Sequence, residues 1–137
     1  MLKINKRFLI ALLTFTLPFG CAGCSDGGSA DTPATYQQIS GAEAKALMDS
    51  EFGYIIIDAR TQEEYEEGHI PGAILIPEYE IADRAEKELP NKDQLILVYC
   101  RSGRRSKIAA EELVKLGYTN VKEFGGIIDW KYEIVKN

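Results

Sequence analysis

Apolar and polar positions are distributed along this chain in two different ways, and each predicts a different kind of segment. Phe8 to Leu13 is apolar on every face, which excludes the amphipathic first helix of a folded domain, and the apolar run from Phe8 to Phe19 is too short to span a bilayer comfortably. From Tyr36 onward, short apolar runs alternate with stretches of helical spacing, the pattern of a parallel sheet with helices on its faces. Tyr36-Gln37-Gln38-Ile39 predicts a short first strand. Ser40 and Glu43 form a capping box, in which hydroxyl and carboxylate satisfy exposed amides as Ala44 to Met48 begin a helix. Tyr54-Ile55-Ile56-Ile57 is apolar on both faces and β-branched, so it suits the middle of a covered parallel sheet.

Thr61 and Glu64 mark a second capping box, opening a short acidic helix that Gly68 can end. His69-Ile70-Pro71-Gly72 turns the chain into Ala73-Ile74-Leu75-Ile76. Between Glu78 and Leu89, Ile81, Ala82, Ala85 and Leu89 recur at the spacing of a helix face, and Pro90-Asn91-Lys92-Asp93 ends it. Gln94-Leu95-Ile96-Leu97-Val98-Tyr99 is the strongest strand signal. It delivers Cys100 at its C-terminal end, before a glycine-containing loop and a helix from Ser106 to Leu116 whose inward face is Ile108, Ala109, Leu113 and Leu116. Gly117 ends that helix, Asn120 to Phe124 supplies the last strand, and a glycine pair leads to a final helix containing Trp130. The expected fold class is α/β, a central parallel sheet with helices on both faces.

Composition narrows this picture to one domain. With 137 residues, 45% apolar and 27% charged, the chain has the size and balance of a single globular unit and not of a disordered segment. No internal repeat is evident. The chain is net −5, and its leading 24 residues hold Lys3, Lys6 and Arg7 without an acid, so the remainder is more acidic still. That portion is not expected to seek nucleic acid or anionic lipid.

The basic start and the apolar run after it read as an export signal. Small residues before cysteine in Phe19-Gly20-Cys21 and Ala22-Gly23-Cys24 resemble the lipobox of bacterial lipoproteins. Cys24 fits better and Cys21 is the alternative, because the third position before Cys24 is Cys21 where that pattern has an aliphatic residue. A redox Cys-x-x-Cys pair is disfavoured, since that motif draws its reactivity from a helix start within a folded domain. Ser25 to Thr35 is small, polar and Gly/Pro-containing, the composition of a tether. The expected organisation is a signal segment at 1–23, a tether at 24–35 and a folded domain at 36–137. Its expected location is the bacterial cell envelope, facing the extracytoplasmic side and touching the membrane through lipid alone, with a soluble periplasmic or secreted form as the alternative.

The loop after the strongest strand carries the candidate chemistry. Ligands of open parallel sheets bind at the C-terminal strand ends, and there the chain reads Cys100-Arg101-Ser102-Gly103-Arg104-Arg105-Ser106. Thiolate is the nucleophilic form of cysteine, and positive charge or backbone amides increase its population. Arg101, Arg104 and Arg105 supply charge, the helix start supplies unpaired amides and the positive end of its dipole, and Gly103 allows successive amides to converge on an anion. A buried structural cysteine beside a solvated basic turn is the bland alternative. Three arginines at a strand end favour the reactive reading. After processing at Cys24, Cys100 has no intrachain partner except a lipidated residue, and an unpaired thiol in an oxidising compartment is a liability or a tool.

This loop resembles the active-site loop of single-domain rhodaneses, the thiosulfate or persulfide sulfurtransferases. Ile57-Asp58-Ala59-Arg60, Glu63-Glu64-Tyr65 and Gly68-His69-Ile70-Pro71-Gly72-Ala73 resemble the family's upstream signature, and Gly125-Gly126-Ile127 with Trp130 its closing one. The similarity runs from about Ile39 to the C-terminus. It implies a rhodanese-like fold and sulfur carriage: the Cys100 thiolate takes the outer sulfur of a small anionic donor, and a thiol or cyanide-like acceptor removes it. Arg101, Ser102, Gly103, Arg104, Arg105 and Ser106 would bind the anion and the persulfide, with no metal and no organic cofactor. Asp58, Arg60 and His69 are expected to support the site structurally; Phe124 and Trp130 are expected in the core, and Glu63 to Glu67 on a solvated helix face. A cysteine-dependent phosphatase or arsenate reductase is the rival enzyme, but those phosphatases place Arg after five intervening residues, where this chain has Ser106. A thiol sensor or binding domain is the non-enzymatic alternative.

Overall fold

Five parallel strands organise residues 35–137, which the computed structural model describes. The signal segment at 1–23, Cys21, Cys24 and the tether up to residue 34 lie outside the described residues. In chain order the elements are β1 (Gln37–Gln38), α1 (Gly41–Ser50), β2 (Ile55–Asp58), α2 (Gln62–Glu67), β3 (Ala73–Leu75), a 3-10 turn (Glu78–Glu80), α3 (Ile81–Glu88), β4 (Ile96–Cys100), α4 (Arg104–Lys115), β5 (Val121–Gly126) and a second 3-10 turn (Ile127–Asp129). The strands lie in the order β1-β5-β4-β2-β3, and every neighbouring pair is parallel. This is the α/β architecture that the alternation of apolar runs and helical stretches predicts.

Two local signals set the helix starts. Ser40 and Thr61 each accept from the amide three residues on, at Glu43 and Glu64, and each of those glutamates accepts from the cap residue's own amide. Both capping boxes predicted from sequence are therefore present, and both relieve amides that a helix start leaves without a partner.

The period of two along a strand then assigns side chains to faces. On β4, Ile96, Val98 and Cys100 join Ile57, Ile81, Leu89 and Leu113 in the layer beneath α3 and α4. Leu97 and Tyr99 join Ala44, Ile56 and Phe124 in the layer beneath α1, with Trp130 packed against it. Every residue of β4 is buried, as a strand covered on both faces should be. The same alternation aims the Cys100 side chain toward the start of α4.

The ends of the domain depart from the sequence expectations. β1 is a two-residue exposed edge. No helix forms around Trp130: the chain leaves a single 3-10 turn, and Trp130 itself is extended at φ −73°, ψ 122°. The C-terminal tail supplies the reason. Val135 and His69 exchange two backbone hydrogen bonds of 2.9 Å, which draws the tail out as an antiparallel bridge, and the Trp130 indole donates to the Glu133 carbonyl at 3.1 Å. Trp130 still packs on Phe124, with centroids 5.6 Å apart. The 3-10 turn at Glu78–Glu80 also delays α3 until Ile81, and α4 begins two residues before the expected Ser106.

Candidate active site

Cys100 ends β4, just past an irregularity in its pairing with β5: Val98 lies opposite Glu123, but Cys100 lies opposite Gly126. After three intervening residues α4 begins. That abrupt turn is possible because Gly103 adopts φ 99°, a left-handed conformation that costs glycine little. The turn points the Gly103 amide at Cys100 Sγ, 3.0 Å away. Ser106, in the first turn of α4, brings its Oγ to 3.4 Å from the sulfur.

The sulfur is buried, yet its surroundings are polar on one side. Burial pushes the Cys100 thiol up, but hydrogen bonds from the loop, the amides of Ser106, Gly103 and Ser102 among them, outweigh it, leaving the thiol below its ordinary value. These donors are the unpaired amides of a helix start, which favour an anion.

The arginines divide. Arg105 donates twice to Glu64, at 2.6 and 2.8 Å, and this partly buried pair joins the first turn of α4 to α2. The Arg105 guanidinium pulls the Glu64 carboxyl down to about 2. Arg105 is thus largely neutralised by a carboxylate, and Arg101 and Arg104 are exposed at the rim. The loop amides expected from sequence face the sulfur, whereas one of the three expected cations, Arg105, is taken up by Glu64. Glu64, expected on a solvated face, is instead the partner that occupies one of those cations.

Asp58, Arg60 and Tyr99 form a buried cluster behind the loop. Arg60 binds Asp58 through Nε at 2.9 Å and Nη2 at 2.7 Å, and Nη2 also donates to the Gly68 carbonyl at 2.7 Å. Tyr99 donates to Asp58 at 2.6 Å and accepts from the Ile70 amide at 3.1 Å. The cluster pins the end of α2 and the turn after it to the ends of β2 and β4. His69 lies in that turn, stacked on Tyr65 at 3.7 Å, with Nδ1 2.9 Å from the Tyr65 carbonyl. Among the described residues no hydrogen bond joins His69 to Cys100.

One site residue escaped the sequence reading. Glu123 is 3% exposed, and its Oε1 accepts from Ser106 Oγ at 2.7 Å and from the Gly125 amide at 2.8 Å. A signal was available: Val121 and Glu123 share one face of the last strand, and Val121 is a core residue on the α4 side. A carboxylate placed inward on a buried strand needs hydrogen-bond partners.

The Rhodanese-like domain family matches residues 40–133. The thiosulfate sulfurtransferase PspE of Escherichia coli (strain K12) is 42% identical over 73 residues, which cover 53% of this chain and 70% of that protein. The thiosulfate sulfurtransferase GlpE of Coxiella burnetii is 36% identical over 97 residues, covering 70% of this chain and 88% of that protein. A solved structure described as rhodanese with anions from E. coli superimposes with a TM-score of 0.58 at 39% identity, covering 61% of this chain and 99% of that one.

Proposed function

We propose that this chain, which belongs to the Rhodanese-like domain family, carries sulfur as a persulfide on Cys100. Relatives at 36% and 42% identity are named thiosulfate sulfurtransferases, and the chain is an enzyme of that type. The Cys100 thiolate attacks the outer sulfur of a small anionic donor such as thiosulfate. A sulfur–sulfur bond forms to Cys100 as the donor's own sulfur–sulfur bond breaks, and sulfite leaves with that electron pair. A thiol or cyanide-like acceptor then attacks the outer sulfur, and Cys100 departs as thiolate. No electron donor, metal or organic cofactor enters this balance.

The observation that carries the reading is the Gly103 amide 3.0 Å from Sγ, with the Ser102 and Ser106 amides also lowering the thiol. Donors so arranged suit the thiolate before attack and the persulfide after it. The exposed Arg101 and Arg104 suit the incoming anion. With only three residues between Cys100 and α4, the cradle fits one added sulfur better than a tetrahedral phosphoryl group. Export and lipidation at Cys24, with Cys21 as the alternative, place this chemistry on the extracytoplasmic side of a bacterial envelope.

Turnover of thiosulfate with cyanide, with mass spectrometry of Cys100 after thiosulfate alone, tests the proposal. Wild type should gain one sulfur atom and turn over, and Cys100→Ser should do neither. Phosphate-ester hydrolysis without sulfur transfer would favour the phosphatase reading. Oxidation of Cys100 by peroxide without any turnover would favour a sensor.

A further inference from the structure

One buried charge beside Cys100 is not consumed by sulfur transfer. Glu123 faces α4, and between it and the sulfur stands a single hydroxyl, that of Ser106. A hydroxyl has one hydrogen to donate. Three acceptors lie within its reach: Glu123 Oε1 at 2.7 Å, Gly125 O at 3.4 Å and Cys100 Sγ at 3.4 Å. The carboxylate has the shortest contact, and charge-assisted hydrogen bonds are about twice as strong as neutral ones. With its hydrogen turned to Glu123, Ser106 presents lone pairs to the sulfur, and lone pairs suit an S–H group better than a thiolate.

We propose that Glu123 is a positioning residue for Cys100: it claims the Ser106 hydroxyl hydrogen and sets a negative charge one side chain from the sulfur, keeping the thiolate more basic, and so more nucleophilic, than the loop amides alone would leave it. The Gly103 amide remains on the sulfur at 3.0 Å, so ionisation is tempered and not prevented. The nucleophilicity of a thiolate rises with its basicity along a Brønsted slope of roughly 0.4–0.5. A carboxylate at this position therefore trades thiolate population for attacking power. Its neighbours do not cancel it. From α4, Arg105 is occupied by Glu64 and Arg104 is exposed. Beside β5, β1 offers only Gln37 and Gln38, and Lys122 is bound to Gln37. β4 contributes Cys100 itself.

The use in catalysis rests on Cys100 as the sulfur carrier, but the ionisation of the thiol does not, so the two can fail separately. Alkylation of Cys100 by iodoacetamide is measured against pH in the full chain, with the adduct read on the Cys100 peptide by mass spectrometry. Glu123→Gln keeps an oxygen for Ser106 and Gly125 while removing the charge; Glu123→Leu removes both, and circular dichroism checks that each variant folds. In Glu123→Gln the profile's midpoint should fall by about one pH unit, as loss of a nearby like charge requires. The plateau rate at high pH should fall about threefold, in line with the Brønsted slope. Glu123→Leu should shift at least as far, and if it does not fold, Glu123→Gln decides alone. Ser106→Ala should not raise the midpoint, because the hydrogen it removes is not spent on sulfur. A midpoint unchanged or raised in Glu123→Gln overturns the proposal, as does a rise of about one unit in Ser106→Ala. Absent thiosulfate turnover with these shifts intact would overturn the sulfurtransferase reading and leave the Glu123 assignment standing.

Discussion

Gly126 fixes how closely the reactive loop can approach β5. A Cβ there would stand 2.0 Å from the Arg101 carbonyl oxygen and 2.6 Å from Ser102 Cα, both backbone atoms, so any side chain forces the loop outward. That loop carries the Gly103 amide at 3.0 Å from the sulfur, a contact with little tolerance for displacement. Misplacement by an ångström can cost about a hundredfold in rate, and Gly126→Ala is expected to lower kcat/KM for thiosulfate by about that factor in a steady-state assay. Asp58 predicts a different loss. It is fully buried and bound by Arg60, itself 5% exposed, so Asp58→Ala strands a guanidinium away from water. Removal of one partner from such a pair costs about 3–5 kcal/mol, which urea unfolding should report at neutral pH.

Between elements, the pair of Glu64 and Arg105 does what neither helix could do alone, tying the start of α2 to the start of α4. Glu64 is held down to about 2 by Arg105, below the ordinary carboxylate range. A carboxylate depressed in the folded state stabilises fully above its unfolded value, and that contribution is lost as pH falls through the folded one. The window therefore runs from about pH 4.5 down to about 2, and the partial exposure of both side chains limits the effect to about 2–3 kcal/mol. Arg105→Met should accordingly unfold at lower urea than wild type at pH 7, with the gap closing as pH approaches 2. Both capping boxes could be read in the sequence because their partners lie three residues apart. The ion pair could not, since its members are 41 residues apart and no local periodicity links them. For the same reason the strand order and the bridge from His69 to Val135 had no sequence signal, and the expected helix at Trp130 gave way to that bridge. Cys100 and its loop were legible because composition, strand end and helix start coincide there. What the sequence suggested less well was the balance between amides and arginines around the sulfur, which depends on where Glu64 and Glu123 reach.

For the chain as a whole, the proposed location requires an acidic domain to be held at a membrane. The whole chain is net −5, although its leader holds Lys3, Lys6 and Arg7, so the domain has no electrostatic attraction to anionic lipid. No helix among the described residues is long and apolar enough to cross a membrane. In the proposed location, anchoring would fall to acyl chains at the cysteine after the signal segment, and firm attachment takes more than one such chain or a second signal. Expressed in a bacterium, the wild-type chain should sediment with membranes and carry acyl mass on its terminal cysteine. Cys24→Ser should release the domain, and Cys21→Ser should leave it bound. The opposite outcome would move the acylated residue to Cys21. Retention of both variants, alone and combined, would remove lipid as the anchor.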